Sequence, residues 1–254
     1  MLKLSLKKFE NKKFFDSQND YEFFQRVYNG GDLTKYINRL NAIGFTDKTE
    51  VFDHGCGFGQ WSFALSDLNS NVISYDIDFN RIEIANEIKK SINRQNIYFT
   101  SVIDYEDHQN FEKFDLVFSY GVLQCLDYKI MLKNYFNFLK PGGRLYFTAA
   151  DLGWFIYYII EGHNDTENFT TRDWGIQAID NSLNYFISGE YKLGANICIP
   201  YKAITDQLEK LGFRIIGIGA DGSINLFENK KCESFFPFEK YNLKAVYEVL
   251  CEKI

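Results

Sequence analysis

From Glu50 onward the chain repeats one unit: a short apolar run, an acidic or glycine break, then a longer stretch with apolar positions three and four apart. Val51-Phe52 runs into Asp53. Further apolar runs fall at Asn71–Asp76, Asn96–Val102, Phe114–Leu123 and Leu145–Thr148. Between them lie helical stretches at Gln60–Leu68 and from Asn80 to Ile92, where Ile82, Ala85, Ile88 and Ile92 share one face. The near-continuous run at Phe114–Leu123 is what a central parallel strand, buried on both faces, requires. Another helix runs to Leu139, and Lys140-Pro141-Gly142-Gly143-Arg144 ends it. Strands alternating with helices predict an α/β doubly wound, mostly parallel sheet.

The flanks follow other patterns. Residues 1–48 contain two helical stretches, Gln18–Tyr28 and Asp32–Ile43, expected to form an N-terminal helical cap over one edge of the site. Residues 49–150 hold strands one to five. Residues 151–199 break the pattern and read as an insertion after strand five, beginning with a helix at Leu152–Ile160. Residues 200–254 return to it. A helix starts at Pro200 with Ile204, Leu208 and Leu211 inward, and Gly212 ends it. Strands are expected at Phe213–Ile218 and Ala245–Cys251, around a loop at Asp221–Asn242.

The first strand carries the candidate chemistry. After Asp53 come His54-Gly55-Cys56-Gly57-Phe58-Gly59, with glycines at alternate positions. A chain without Cβ atoms turns sharply there and lets a ligand approach its backbone. Strand, glycine turn and helix make the nucleotide-binding corner of a doubly wound sheet. A dinucleotide fingerprint would be G-x-G-x-x-G, and here Gln60 stands where its last glycine would be. Asp76 ends the second strand about 20 residues beyond the glycines, the separation for a carboxylate that accepts both ribose hydroxyls. Asp78 is placed to cap the next helix.

Taken with Phe114-Asp115-Leu116-Val117, Gly121-Val122-Leu123 and Leu139-Lys140-Pro141-Gly142-Gly143, this turn resembles the class I S-adenosylmethionine (SAM) methyltransferases. The resemblance covers residues 49–150. It implies a seven-stranded sheet with the last strand antiparallel and SAM as cofactor. It also implies cofactor contacts from Asp53, Gly55, Cys56, Gly57, Asp76, Ile77, Ser119 and Tyr120. An adenine contact would come from Ile103 or Asp104, in a register uncertain by one. Where relatives often carry a histidine after the fourth strand, this chain has Gln124-Cys125, so no role passes to that position.

Methyl transfer is an in-line displacement from an activated sulfonium, so the protein must align the partners, exclude water and, for a hydroxyl acceptor, remove a proton. Candidate bases are His163 in the insertion and Tyr120 and Asp151 at strand ends. His54 and His108 read as structural. Trp154, Tyr157 and Arg172 are the candidate acceptor contacts, since aromatic faces with an arginine suit a sugar ring or a phosphate, and Asn164–Asp173 reads as a mobile lid. Gly57-Phe58-Gly59-Gln60-Trp61 and the insertion are similar to methyltransferases of bacterial glycan assembly. The leading expectation is therefore an O-methyltransferase for a small polar acceptor, a sugar or nucleotide sugar destined for surface polysaccharide. An apolar cavity without Arg172 inside would favour the alternative, an N- or C-methyltransferase for an amine or a lipid-like quinone precursor. A non-catalytic SAM-binding protein is the third reading.

Charge and cysteine content narrow the partners. A net charge of −6 without a long basic run argues against nucleic acid or an anionic membrane as the main partner. Five cysteines without C-x-x-C spacing predict no metal and no disulfide framework, and fit a reducing cytoplasm. The start has no long apolar core of a signal peptide, and the apolar run Trp154–Ile160 is far too short to span a bilayer.

Overall fold

The computed structural model describes Leu6, Phe9, residues 11–162, Asp165 and residues 170–228 and 231–254. Seven strands form one sheet in the order β3-β2-β1-β4-β5-β9-β6. They are β1 (Glu50–His54), β2 (Asn71–Tyr75), β3 (Ile97–Thr100), β4 (Phe114–Ser119), β5 (Leu139–Ala150), β6 (Phe213–Ala220) and β9 (Val246–Lys253). The five strands β1–β5 pair in parallel, and β9 lies antiparallel between β5 and β6. Two short strands, β7 (Glu239–Lys240) and β8 (Leu243–Lys244), form a separate hairpin.

Helices cover both faces: α1 (Gln18–Tyr28), α2 (Thr34–Ala42), α3 (Gln60–Leu68), α4 (Phe79–Ser91), α5 (Tyr128–Phe138), α6 (Leu152–Glu161), α7 (Thr171–Ser188) and α8 (Tyr201–Leu211). One apolar core, including Val51, Phe63, Ile88 and Phe118, lies on the side of α1–α4. The other, including Phe52, Leu132, Phe147 and Leu208, lies under α5 and α8. Adjacent residues of β1 thus feed opposite cores, as the two-residue strand period demands.

Three differences from the sequence reading have local causes. Lys140-Pro141-Gly142-Gly143 is a bulge inside β5 rather than a turn before it: Phe114 pairs with Leu139, yet Leu116 pairs with Arg144. The register shift absorbs the surplus residues, with Gly142 at φ +75°. Second, the insertion is largely helical. Thr170 caps α7 by accepting from the Asp173 amide, and Gly189 closes it in the left-handed region. Gly175 lets α6 come close, since a Cβ there would stand 2.9 Å from the Phe155 carbonyl oxygen. Third, β9 runs two residues beyond the expected Cys251 and β6 ends at Ala220.

Candidate functional site

The glycine turn is built by hydrogen bonds across β1 and β2. The amides of Gly55 and Cys56 donate to the Tyr75 carbonyl at 2.7 and 2.9 Å, and the Gly57 amide donates to the Asp76 carboxylate at 2.7 Å. Asp76 also accepts from the Asp78 amide at 3.0 Å. Its carboxylate therefore fixes the turn, and each oxygen retains a further lone pair for a ligand hydroxyl. Gly57 takes φ +56°, where any side chain is strained. The Cys56 side chain is buried in the core, and its thiol donates to the Gly57 carbonyl at 3.8 Å.

The N-terminal helices clamp this turn from outside. The Tyr28 hydroxyl donates to the Phe58 carbonyl at 2.6 Å, and the rings of Phe15, Phe23 and Phe24 surround Phe58. Arg81 lies over Phe23 and Phe58 and pairs with Asp20 at 2.7 Å.

Beyond Asp76 the carboxyl ends of β2 and β3 leave apolar side chains in solvent: Ile77 is 83 % exposed and Val102 is 79 % exposed. Ile103 packs against the core under α5, while Asp104 is exposed and accepts from the Glu106 amide. Asp53 is buried beside the turn and accepts from the Ser62 hydroxyl at 2.6 Å. Burial pushes its carboxyl up to about 7; the Ser62 hydrogen bond opposes this and the charge of Asp76 adds to it.

A cavity of about 530 Å³ opens beside Gly121, between α1, α2, the start of α6 and the segment 233–236. Its walls are mostly aromatic, including Trp61, Tyr36, Tyr120, Trp154, Phe235 and Phe236. Tyr120 and Phe236 stack at 5.6 Å, and Trp154 meets Phe236 edge-on at 5.5 Å. A Cβ on Gly121, at φ +77°, would meet nothing within 4 Å.

The segment over the cavity hangs on buried charges. Asp221 accepts from the amides of Phe235 and Phe236 at 2.6 and 3.0 Å and from the Tyr120 hydroxyl at 2.8 Å. Arg39 of α2 donates to Asp221 at 2.7 Å and to Glu248 of β9 at 3.0 Å, all three side chains being fully buried. Glu248 in turn accepts from the amides of Gly222 and Ile224. Composition gave no warning of this network, because its members are spread from α2 to β9.

The predicted acceptor residues divide. Trp154 lines the cavity. Tyr157 faces the β7–β8 hairpin, with the Lys240 ammonium 4.1 Å from its ring centroid. Arg172 is exposed on α7 and is not a cavity wall. The predicted bases do not gather. His163, with half of the expected lid, lies outside the described residues. Asp151 is a structural cap, accepting from the amides of Leu152 and Tyr201. Tyr120 lines the cavity, but burial and then the Asp221 charge hold its phenol well above the ordinary range, so it supplies no phenolate at neutral pH. The Ser119 side chain is fully buried, and its hydroxyl accepts from the Tyr135 hydroxyl at 3.1 Å. His54 is structural as expected: it sits between the hydroxyls of Tyr105 and Tyr135, and burial drives it down to about 3. Among the described residues no cluster is fit to hold a metal, and no helix is long and apolar enough to cross a membrane.

This sheet order, with a glycine turn after β1 and an acid at the end of β2, is the class I SAM-dependent methyltransferase fold. Residues 52–145 match the methyltransferase domain family. The chain is 38 % identical over 114 residues to the demethylmenaquinone methyltransferase of Lactococcus lactis subsp. lactis (strain IL1403), covering 42 % of this chain and 44 % of that one. It is 28 % identical over 197 residues to malonyl-[acyl-carrier protein] O-methyltransferase 2 of Ilyobacter polytropus, covering 72 % and 71 %. Among solved structures, the magnesium protoporphyrin IX methyltransferase of Synechocystis PCC 6803 with bound S-adenosylhomocysteine (SAH) superposes with a TM-score of 0.56 at 16 % identity, over 96 % of this chain and 97 % of that one. The first of these alignments spans less than half of either protein.

The residues present fit that cofactor. Asp53 and Asp76 put two carboxylates beside the turn, with no cation paired to either among the described residues, which suits a ligand bearing a sulfonium and an ammonium. Ile77 and Val102 offer apolar faces to an adenine, and Gly121 leaves its side of the turn open.

Proposed function

We propose that the protein is a SAM-dependent methyltransferase for a small acceptor with a flat, largely apolar body. The observation that carries this reading is the aromatic cavity beside Gly121 and the glycine turn, at the carboxyl ends of the strands where such sheets bind ligands. Bound SAM would supply the activated methyl group. Asp76 would hold the ribose hydroxyls while fixing the turn through Gly57. Asp53 would offer its carboxylate to the positively charged half of the cofactor. The walls of the cavity exclude water and align the acceptor, which against a sulfonium leaving group carries much of the rate.

Of the features behind the sugar reading, Arg172 does not line the cavity. The relatives do not favour one methylated atom either, their names including an O- and an N-methyltransferase. The test pairs calorimetry of SAM binding with a product screen by mass spectrometry. Flat phenols, quinols and heteroaromatic amines are expected to gain 14 mass units (about one CH₂) before nucleotide sugars do. Methylation of nucleotide sugars alone would restore the sugar reading.

A further inference from the structure

The cavity has a charged side that its aromatic walls do not explain. Arg26 of α1 and Lys35 of α2 both line it. Arg26 lies over the Phe23 ring at 5.5 Å, and Lys35 over Tyr36 and Phe235, each at 5.1 Å. Ring faces orient these cations without neutralising them. Neither pairs with a carboxylate among the described residues, although Glu233 stands at the same rim with its side chain exposed. Elsewhere the chain does pair its cations near carboxylates, as in Arg81 with Asp20 and Arg94 with Asp67.

A second observation points the same way. Gln60 lines the cavity at the start of α3 and is 7 % exposed, and its buried Oε1 has no hydrogen-bond partner. It lies on the Gly57 side, 4.0 Å from where a Cβ on that glycine would stand. A buried acceptor left unpaired is costly, and a ligand that donates to it removes the cost.

The geometry points to an acceptor that is an aromatic acid: a flat ring among the cavity's aromatic walls, a carboxylate or similar anion held by Arg26 and Lys35, and an O–H or N–H donated to Gln60 Oε1. This rests on the methyltransferase reading above for its reaction, but not for its binding chemistry. A carboxylate could come from the acceptor or from the amino-acid end of the cofactor. The placement of both cations over aromatic rings, on the cap helices rather than on the glycine turn, assigns it to the acceptor.

The test uses a matched pair of probes, 6-hydroxy-2-naphthoate and its primary amide, titrated calorimetrically into the full-length protein with and without saturating SAH. The acid is expected to bind at least about tenfold more tightly than the amide. The double variant Arg26→Gln, Lys35→Met should erase that preference while SAH affinity stays within about twofold. Both side chains are at least partly exposed and outside the core, so the variant should fold. Gln60→Leu should weaken acid and amide alike. Equal binding of acid and amide by the wild type overturns the proposal. So does a double variant that loses SAH affinity but keeps the acid preference, because the cations then serve the cofactor. A wild type that ignores SAH yet prefers the acid would sustain the anion site and remove the methyltransferase reading.

Discussion

The Tyr120 hydroxyl donates to the Asp221 carboxylate at 2.8 Å, joining the end of β4 to the segment that roofs the cavity. Asp221 spends its other oxygen on the amides of Phe235 and Phe236. Tyr120→Phe keeps the ring and loses only this link. It should cost about 1–2 kcal/mol of stability and raise the acceptor KM. Its kcat should fall far less than the roughly 10²–10⁴-fold expected for a lost general base. Thermal melts and steady-state kinetics check both; a base-like collapse of kcat would return Tyr120 to the chemistry.

SAM binding should depend on Asp76 and Gly57 together. Asp76→Ala removes the partner of the Gly57 amide and the acceptor for ribose, each bond to an ionised acceptor being worth about 1.5–3 kcal/mol. Gly57→Ala forces a side chain onto φ +56°. At least a tenfold loss of affinity (about 1.4 kcal/mol) is expected for each. Unchanged calorimetric affinity in both variants would remove the cofactor site from this turn.

Affinity for SAM should rise with pH through neutrality. Asp53 is held up to about 7, so below that pH the free protein carries a proton there. A cationic ligand favours the carboxylate, and binding near pH 7 therefore releases protons. We expect about three- to tenfold tighter binding at pH 8 than at pH 6, and no such slope in Asp53→Asn. Titrations in buffers of different ionisation enthalpy read the proton release directly. A slope that persists in the variant would belong to another group.

Arg172→Ala should leave the acceptor KM and the SAM affinity both unchanged within about twofold, because the side chain is exposed on α7 away from the cavity. A selective rise in KM would show that α7 moves onto the acceptor during catalysis.

Arg39→Met should destabilise the fold by about 3–5 kcal/mol, since it strands Asp221 and Glu248 as buried carboxylates. Denaturant unfolding measures this. A loss under 1 kcal/mol (about the median for an exposed pair) would mean that water reaches the cluster.

The sequence showed the parts of this molecule whose signals are local. The glycine turn, Asp76 and the apolar runs of β1 to β5 each fit within one βαβ unit, and the caps of α4 and α8 stand beside their own helices. The acceptor side was illegible for the opposite reason. Its wall combines Tyr36, Trp61, Tyr120 and Phe236 from four distant segments, and no spacing rule connects them. Arg172 and Tyr157 are expected there because they share the insertion with Trp154 and pair an arginine with aromatic faces. On α6, however, Trp154 faces the cavity while Tyr157 lies under Lys240. Tyr120 stands at a strand end as a base would, and its hydroxyl is committed to Asp221, 101 positions away in the chain.

The Arg39–Glu248 bond spans 209 positions, and this has a temporal consequence. A ribosome delivers α2 long before β9, while β1 to β5 can assemble from a continuous stretch in between. Loop closure over such a separation is slow compared with local pairing. The nucleotide corner is thus able to form on the nascent chain well before the roof of the cavity has anything to hang from. An intermediate stalled at that stage would have a place for the methyl donor but no enclosure for the molecule that receives it.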